Sequence, residues 1–193
     1  MSSHPHMNIV VIGHVDHGKS TLIGRLLLDT NSLPEGKLQE IKRISQELGK
    51  DAELAFLTDQ LKEEREQEKT IDTTQIFFKS RKRHYVIIDT PGHVEFIKNM
   101  LTGATQAETA LLLIDVNAGV KEQTRRHAYI IGMLGIDNVI TVFNKMDLVN
   151  YKQERFEEAK TEFLKFMAGL GIKPYSIIPA SAKDGVNISR RTP

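Results

Sequence analysis

Gly13-His14-Val15-Asp16-His17-Gly18-Lys19-Ser20 follows the apolar run Asn8-Ile9-Val10-Val11-Ile12 and precedes a helix-like stretch, Thr21 to Leu28. A G-x-x-x-x-G-K-S pattern between a strand and a helix is a phosphate-binding loop. Its residue types explain why. Gly13 and Gly18 let the backbone turn tightly and approach a polyphosphate, so that successive N–H groups and the positive end of the next helix can hold the anion. Lys19 adds a mobile charge for the β and γ oxygens, and the Ser20 hydroxyl is a hard oxygen of the kind Mg²⁺ accepts beside phosphate and water. The eight residues alone could still be a glycine-rich turn, so the rest of the chain must decide.

Working outward, strand-like runs recur at helix-sized intervals: Met7 to Ile12, Thr70 to Lys79, Tyr85 to Asp89, Ala110 to Val116, Asn138 to Phe143 and Tyr175 to Ile178. That rhythm predicts an α/β doubly wound sheet of six strands with helices on both faces. Leu111-Leu112-Leu113-Ile114 and Val139-Ile140-Thr141-Val142-Phe143 are continuously apolar, as parallel strands covered on both faces are. Only a short polar turn, Ser80 to His84, separates the second and third strands, which predicts one antiparallel hairpin. Between the first helix and the second strand lies a helical insertion. Ser32 and Glu35 have capping-box spacing, Leu38, Ile41, Ile44 and Leu48 mark one face, and Leu54, Leu57 and Leu61 mark a second stripe.

Two more motifs fall at strand ends, where open α/β sheets bind ligands. Asp89-Thr90-Pro91-Gly92-His93 closes the third strand. Its Asp89 can hold Mg²⁺ through water, and the N–H of Gly92 can reach a γ-phosphate. Asn144-Lys145-Met146-Asp147 closes the fifth strand. A carboxylate at Asp147 can accept from N1–H and the N2 amino group of guanine, a donor pair that adenine lacks, and an unpaired buried carboxylate would penalise the wrong base. Lys145 can lay its stem over the ring, and Asn144 can tie the loop to its neighbours. Ser181-Ala182-Lys183 follows the last strand and can close over the base through backbone N–H groups.

With these four pieces in this order, the chain resembles the G domain of the translation-factor class of GTPases, which includes elongation factor Tu and the GTPase subunit of sulfate adenylyltransferase. The resemblance runs from Asn8 to Lys183 and implies a P-loop NTPase that binds GTP and GDP with Mg²⁺. It implies that Gly13, Val15, Asp16, His17, Gly18, Lys19, Ser20, Thr21, Gly92, Asn144, Lys145, Asp147, Ser181, Ala182 and Lys183 surround the nucleotide. Ser20, Thr70 and Asp89 would serve the metal, with Thr70, just after the helical insertion, as the switch threonine. His93 would position the attacking water, alongside Lys19 and Thr70 in catalysis. Asp16 would help hold a monovalent cation.

Within the class, Glu64-Arg65-Glu66-Gln67, Thr70-Ile71-Asp72-Thr73 and Gln123-Thr124-Arg125-Arg126-His127 read most like the sulfate-assimilation subunit. The alternative is a translation elongation factor that delivers aminoacyl-tRNA. The family writes Arg-Gly-Ile-Thr where this chain has Gln67-Glu68-Lys69-Thr70, so a lysine stands in place of the apolar residue that would face Val15. Rivals of another kind are an ATP-using phosphoryl transferase and a nucleotide sensor that does not hydrolyse. Partners implied are a guanine nucleotide and a catalytic or effector protein, with RNA or the ribosome under the translation alternative.

Composition narrows the field. With a net charge of +1, the chain has no overall field to draw nucleic acid or a membrane, so such contacts need a local patch. The Lys79, Arg81, Lys82, Arg83 and His84 cluster is one such patch, read as a solvated turn. The absence of cysteine rules out disulfides and thiolate metal sites. No run reaches membrane-spanning length and no signal peptide opens the chain, which predicts a cytoplasmic protein. Residues 1–7 read as a tag or tail and 8–193 as the G domain. The short polar end after Lys183 suggests the N-terminal fragment of a longer multidomain protein.

Overall fold

A computed structural model describes residues 6–33, 35–48, 54, 56–57, 59, 74–80, 82–89 and 107–192. The elements are β1 (His6–Gly13), α1 (Lys19–Asp29), α2 (Glu35–Leu48), β2 (Thr74–Lys79), β3 (His84–Asp89), β4 (Thr109–Asp115), α3 (Glu122–Met133), β5 (Val139–Asn144), α4 (Gln153–Gly169) and β6 (Ser176–Pro179). A single 3-10 turn, Met146–Val149, lies between β5 and α4. The six strands form one sheet in the order β2-β3-β1-β4-β5-β6. Every neighbouring pair is parallel except β2 with β3, which is antiparallel.

Period-2 alternation along the central strands divides the core in two. Val10, Ile12, Leu112 and Ile114 face α3 and α4, where Phe143 meets the rings of Phe156 and Phe163 edge-on at 5.6 and 5.9 Å. Val11, Leu113 and Val142 face the other way, against Leu22, Ile23 and Leu27 of α1, Ile41 of α2, and Leu57. Of the two stripes expected in the insertion, Ile41, Leu54 and Leu57 are buried and Ile44 is half-buried, while the side chains of Leu38, Leu48 and Leu61 lie outside the described residues. The Ser32 hydroxyl accepts the Lys79 N–H at 3.2 Å, which fastens the entrance of α2 to the edge strand β2.

The strand boundaries shift by a residue or so from those read in the sequence. β1 starts at His6, one residue before the expected Met7, and His6 and Met7 pair with His84 and Tyr85 of β3. The His6 and His84 rings meet edge to face at 5.5 Å. Residues 70–73 of the expected second strand lie outside the described residues. The hairpin turn is closed by Ser80, whose N–H reaches the Arg83 carbonyl at 2.9 Å while its hydroxyl accepts the N–H groups of Lys82 and Arg83. Among the described residues no helix is long and apolar enough to cross a membrane.

Candidate functional site: the carboxyl edge of the sheet

Parallel pairing sets the strand ends level with one another. Val11 stands opposite Asp89, Gly13 opposite Leu113, Asp115 opposite Asn144, and Phe143 opposite Pro179. The loops that follow β1, β4, β5 and β6 therefore open on one edge, where such sheets take ligands, and β3 ends at the same level.

At the phosphate end, the loop is pressed against its neighbours. A Cβ on Gly13 would sit 2.9 Å from the Leu113 carbonyl oxygen, and one on Gly18 would run into the side-chain nitrogen of Asn144. Gly18 also adopts φ 91, a left-handed conformation open to glycine at little cost, and caps α1. The two glycines are thus required by β4 and Asn144 before any ligand is considered. Asp16, exposed at the crest, is left-handed too, with φ 66. Val15 is exposed, and Thr21 is half-buried in the first turn of α1. Lys19 folds back over the loop and donates to the carbonyls of Gly13 at 2.5 Å and His14 at 3.1 Å.

His17 is turned inward. Its ring Nδ1 lies 3.1 Å from the Leu113 carbonyl, and since a carbonyl only accepts, the ring carries its proton on Nδ1. Burial lowers its pKa, against the Leu113 bond and the Asp115 charge, which act the other way. His127 of α3, only 8% exposed, packs near the same loop. Burial chiefly, then the charges of Lys19, His14 and His17, bring its pKa down to about 4. Burial thus disfavours the charged form of both imidazoles.

At the base end, side chains do the holding. Asn144 donates from Nδ2 to the His17 carbonyl at 2.9 Å and accepts the Ala182 N–H on Oδ1 at 2.9 Å. One amide thereby joins the phosphate loop to the loop after β6. Lys145, left-handed at φ 66, reaches back to Asp115 with Nζ 2.8 Å from Oδ2. Burial pushes the Asp115 carboxyl up, but Lys145 and the N–H groups of Asn117 and Ala118 outweigh it and hold the pKa below its usual value. Asp147 accepts the Ser181 hydroxyl on Oδ1 at 2.7 Å. Arg25 of α1 donates to the carbonyls of Ala182 at 3.2 Å and Lys183 at 2.5 Å.

The structure thus brings together Gly13, Val15, Asp16, His17, Gly18, Lys19, Ser20, Thr21, Asn144, Lys145, Asp147, Ser181, Ala182 and Lys183 on one edge. Thr70, Gly92 and His93 lie outside the described residues, as do Lys69, residues 64–67 and the Asp89 side chain; the Asp89 main chain ends β3 beside Val11. Sequence reading passed over Asp115 and Arg25, and noted His127 only within the stretch used to compare subfamilies. An acid at the end of a strand on the ligand edge was the available signal for Asp115; Arg25 and His127 act through tertiary contacts that no local pattern announces.

Comparison with known proteins bears on this edge. The sequence model of the elongation factor Tu GTP binding domain matches residues 4–190. The chain belongs to that family. G domains of the family are GTPases, and their fold is that of the P-loop NTPases. Elongation factor 1-alpha of Pyrococcus furiosus is 48% identical over 97% of the chain and 44% of its own length; that of Thermococcus gammatolerans is 47% identical with the same shares. A crystal structure of sup35 complexed with GDP superposes with a TM-score of 0.69 at 26% identity, covering 100% of this chain and 41% of that one. The chain spans 44% of the length of these curated relatives.

Proposed function

We propose that this domain binds GTP with Mg²⁺, hydrolyses it to GDP and phosphate, and works as the nucleotide switch of a translation elongation factor. The observation that carries the reading is the double role of Asn144, which makes one site of the phosphate loop and the loops around Asp147 and Ser181. In that site the Lys19 ammonium would meet the β and γ oxygens, and the α1 N-terminus would face the phosphates. Asp147, with Oδ1 fixed by Ser181, would present its remaining lone pairs to N1–H and the N2 amino group of guanine.

The donor set suits a hard cation shared with phosphate. Among the described residues no three His, Asp or Glu side chains gather to hold a metal alone, whereas Mg²⁺ beside phosphates asks the protein for only one or two oxygens. Ser20 supplies one, with Thr70 and Asp89 as the further candidates. When bound, Mg²⁺ neutralises charge on the phosphate oxygens. His93 would orient the attacking water, Gly92 and Thr70 would respond to the γ-phosphate, and Asp16 would take part in any monovalent-cation site.

The relatives being elongation factors favours the translation reading over sulfate activation. Of the residues on which the latter rested, 64–67 and 70–73 lie outside the described residues, and Arg126 is paired with Glu122 one turn earlier on its own helix. In the full-length protein we expect aminoacyl-tRNA and the ribosome as partners, in the cytoplasm.

Calorimetry with GTP, GDP and ATP, followed by phosphate release, tests the proposal. Guanosine nucleotides should bind at least about 100-fold more tightly than ATP, Asp147→Asn should remove most of that preference, and His93→Ala should slow phosphate release without weakening GDP. Equal affinity for ATP would return the phosphoryl-transferase rival, and hydrolysis indifferent to His93 the sensor.

A further inference from the structure

Just past the 3-10 turn, Asn150 and Tyr151 both adopt left-handed backbone, with φ 52 and 54. Two such residues in succession, neither of them glycine, are uncommon and call for a compensating fit. Their own N–H groups are satisfied, Asn150 on the Asp147 carbonyl at 3.1 Å and Tyr151 on the Met146 carbonyl at 2.9 Å. The bend turns the phenol across to the loop after β6, where its hydroxyl donates to Asp184 Oδ2 at 2.5 Å. Asp184 in turn donates its N–H to Ser181 Oγ at 3.1 Å. Ser181 then donates to Asp147 Oδ1 at 2.7 Å.

These contacts close a ring. It runs from Asp147 to Ser181, to Asp184, to Tyr151, and home along the main chain to Asp147. Each loop is crossed at two points, and neither Tyr151 nor Asp184 belongs to any of the four motifs that mark the nucleotide site. Arg25 grips the opposite side of the same loop.

We propose that Tyr151 is a positioning residue for the purine: by anchoring Asp184 it holds Ser181, and through Ser181 the carboxylate of Asp147, in the orientation that reads guanine. The inference rests on Asp147 being the base-reading acid, as argued above. Tyr151 is 44% exposed, so the bond adds little to fold stability; its effect lies in closing the ring. Burial first, then the Asp184 bond, raises the phenol pKa, so the hydroxyl is a donor throughout the neutral range.

The test compares release of fluorescent GDP with release of fluorescent IDP, whose hypoxanthine lacks the N2 amino group, from the purified chain by stopped flow. If the ring aims Asp147, Tyr151→Phe should speed GDP release about five-fold and IDP release, which keeps only the N1–H partner of Asp147, by a clearly smaller factor, narrowing the ratio between them. Asp184→Asn should do the same, and the double variant should add nothing further, since both break one ring. Unchanged GDP release in both variants, or equal acceleration of GDP and IDP, would overturn the positioning role while leaving the base site intact. No guanosine-over-adenosine preference in the unaltered chain would instead remove the base-reading assignment and this inference with it.

Discussion

The two ends of the candidate site are built on opposite principles. The phosphate loop is shaped by backbone crowding: Gly13 has no room for a Cβ beside Leu113, Gly18 none beside Asn144, and Lys19 folds onto loop carbonyls. The base end is shaped by side chains reaching between distant segments, with Asn144 on His17 and Ala182, Asp147 on Ser181, and Lys145 on Asp115. Crowding tolerates almost no substitution, whereas a hydrogen-bonded net can lose one strand and keep the others. The first kind of site should fail abruptly and the second by degrees.

The hardest blow to this contrast should come from Gly18→Val. It adds a branched side chain at φ 91 and against Asn144, and nucleotide affinity should fall at least about 100-fold, the scale of a misplaced backbone clamp. Calorimetry would check it, and a mild loss would mean that the loop is softer than its packing indicates. Asn144→Ala comes next, because it cuts the link between the ends. Removing a buried amide that serves two partners should cost about 1 to 3 kcal/mol of stability, read by urea unfolding, and should weaken both GDP and GTP about tenfold or more. If only one nucleotide suffers, the ends are less coupled than the geometry implies.

A gentler test sharpens the phosphate side. His127 has its pKa lowered to about 4 from an ordinary 6.5, so between those values the unfolded chain takes up a proton that the folded chain refuses. The stabilising share is complete above about pH 6.5 and is lost as pH falls towards 4, on the order of 3 kcal/mol in all. Thermal melts across that range should show the loss in the unaltered protein and a flatter profile in His127→Gln. Parallel profiles would mean that the ring is not held neutral by its surroundings.

The same contrast explains what was legible in the sequence. Backbone crowding demands glycine at fixed spacing, so Gly13 through Ser20 announced a loop suited to phosphate, and the motifs further along the chain decided between that and a plain glycine-rich turn. The recurrence of apolar runs likewise pointed to the sheet, because Val10, Val11 and Ile12 serve both cores, and the short turn from Ser80 to His84 pointed to the antiparallel β2 and β3 pair. The base end was half readable: Asn144 to Asp147 is a short motif, but its stays at Arg25 and Asp184 come from segments far apart in the chain, and Tyr151, close by in sequence, reaches it only through Asp184. The purpose of Gly13 and Gly18 also looked different from the sequence, as room for a ligand; the folded chain needs them for its own packing first. His6 was left out of the expected strand because a lone histidine says nothing of the partner, His84, that recruits it.

One element touches both ends. The 11 residues of α1 begin at Lys19 and carry Arg25 and Asp29 further along, where Arg25 grips Ala182 and Lys183 and Asp29 accepts the Ser189 hydroxyl at 2.6 Å. A helix of that length is a stiff rod about 16 Å long. If the edge holds a nucleotide as proposed, whatever leans on the side of this helix would move the anion cradle and the purine clasp in a single stroke, and departure of a bound molecule would not have to unpick its two grips in turn.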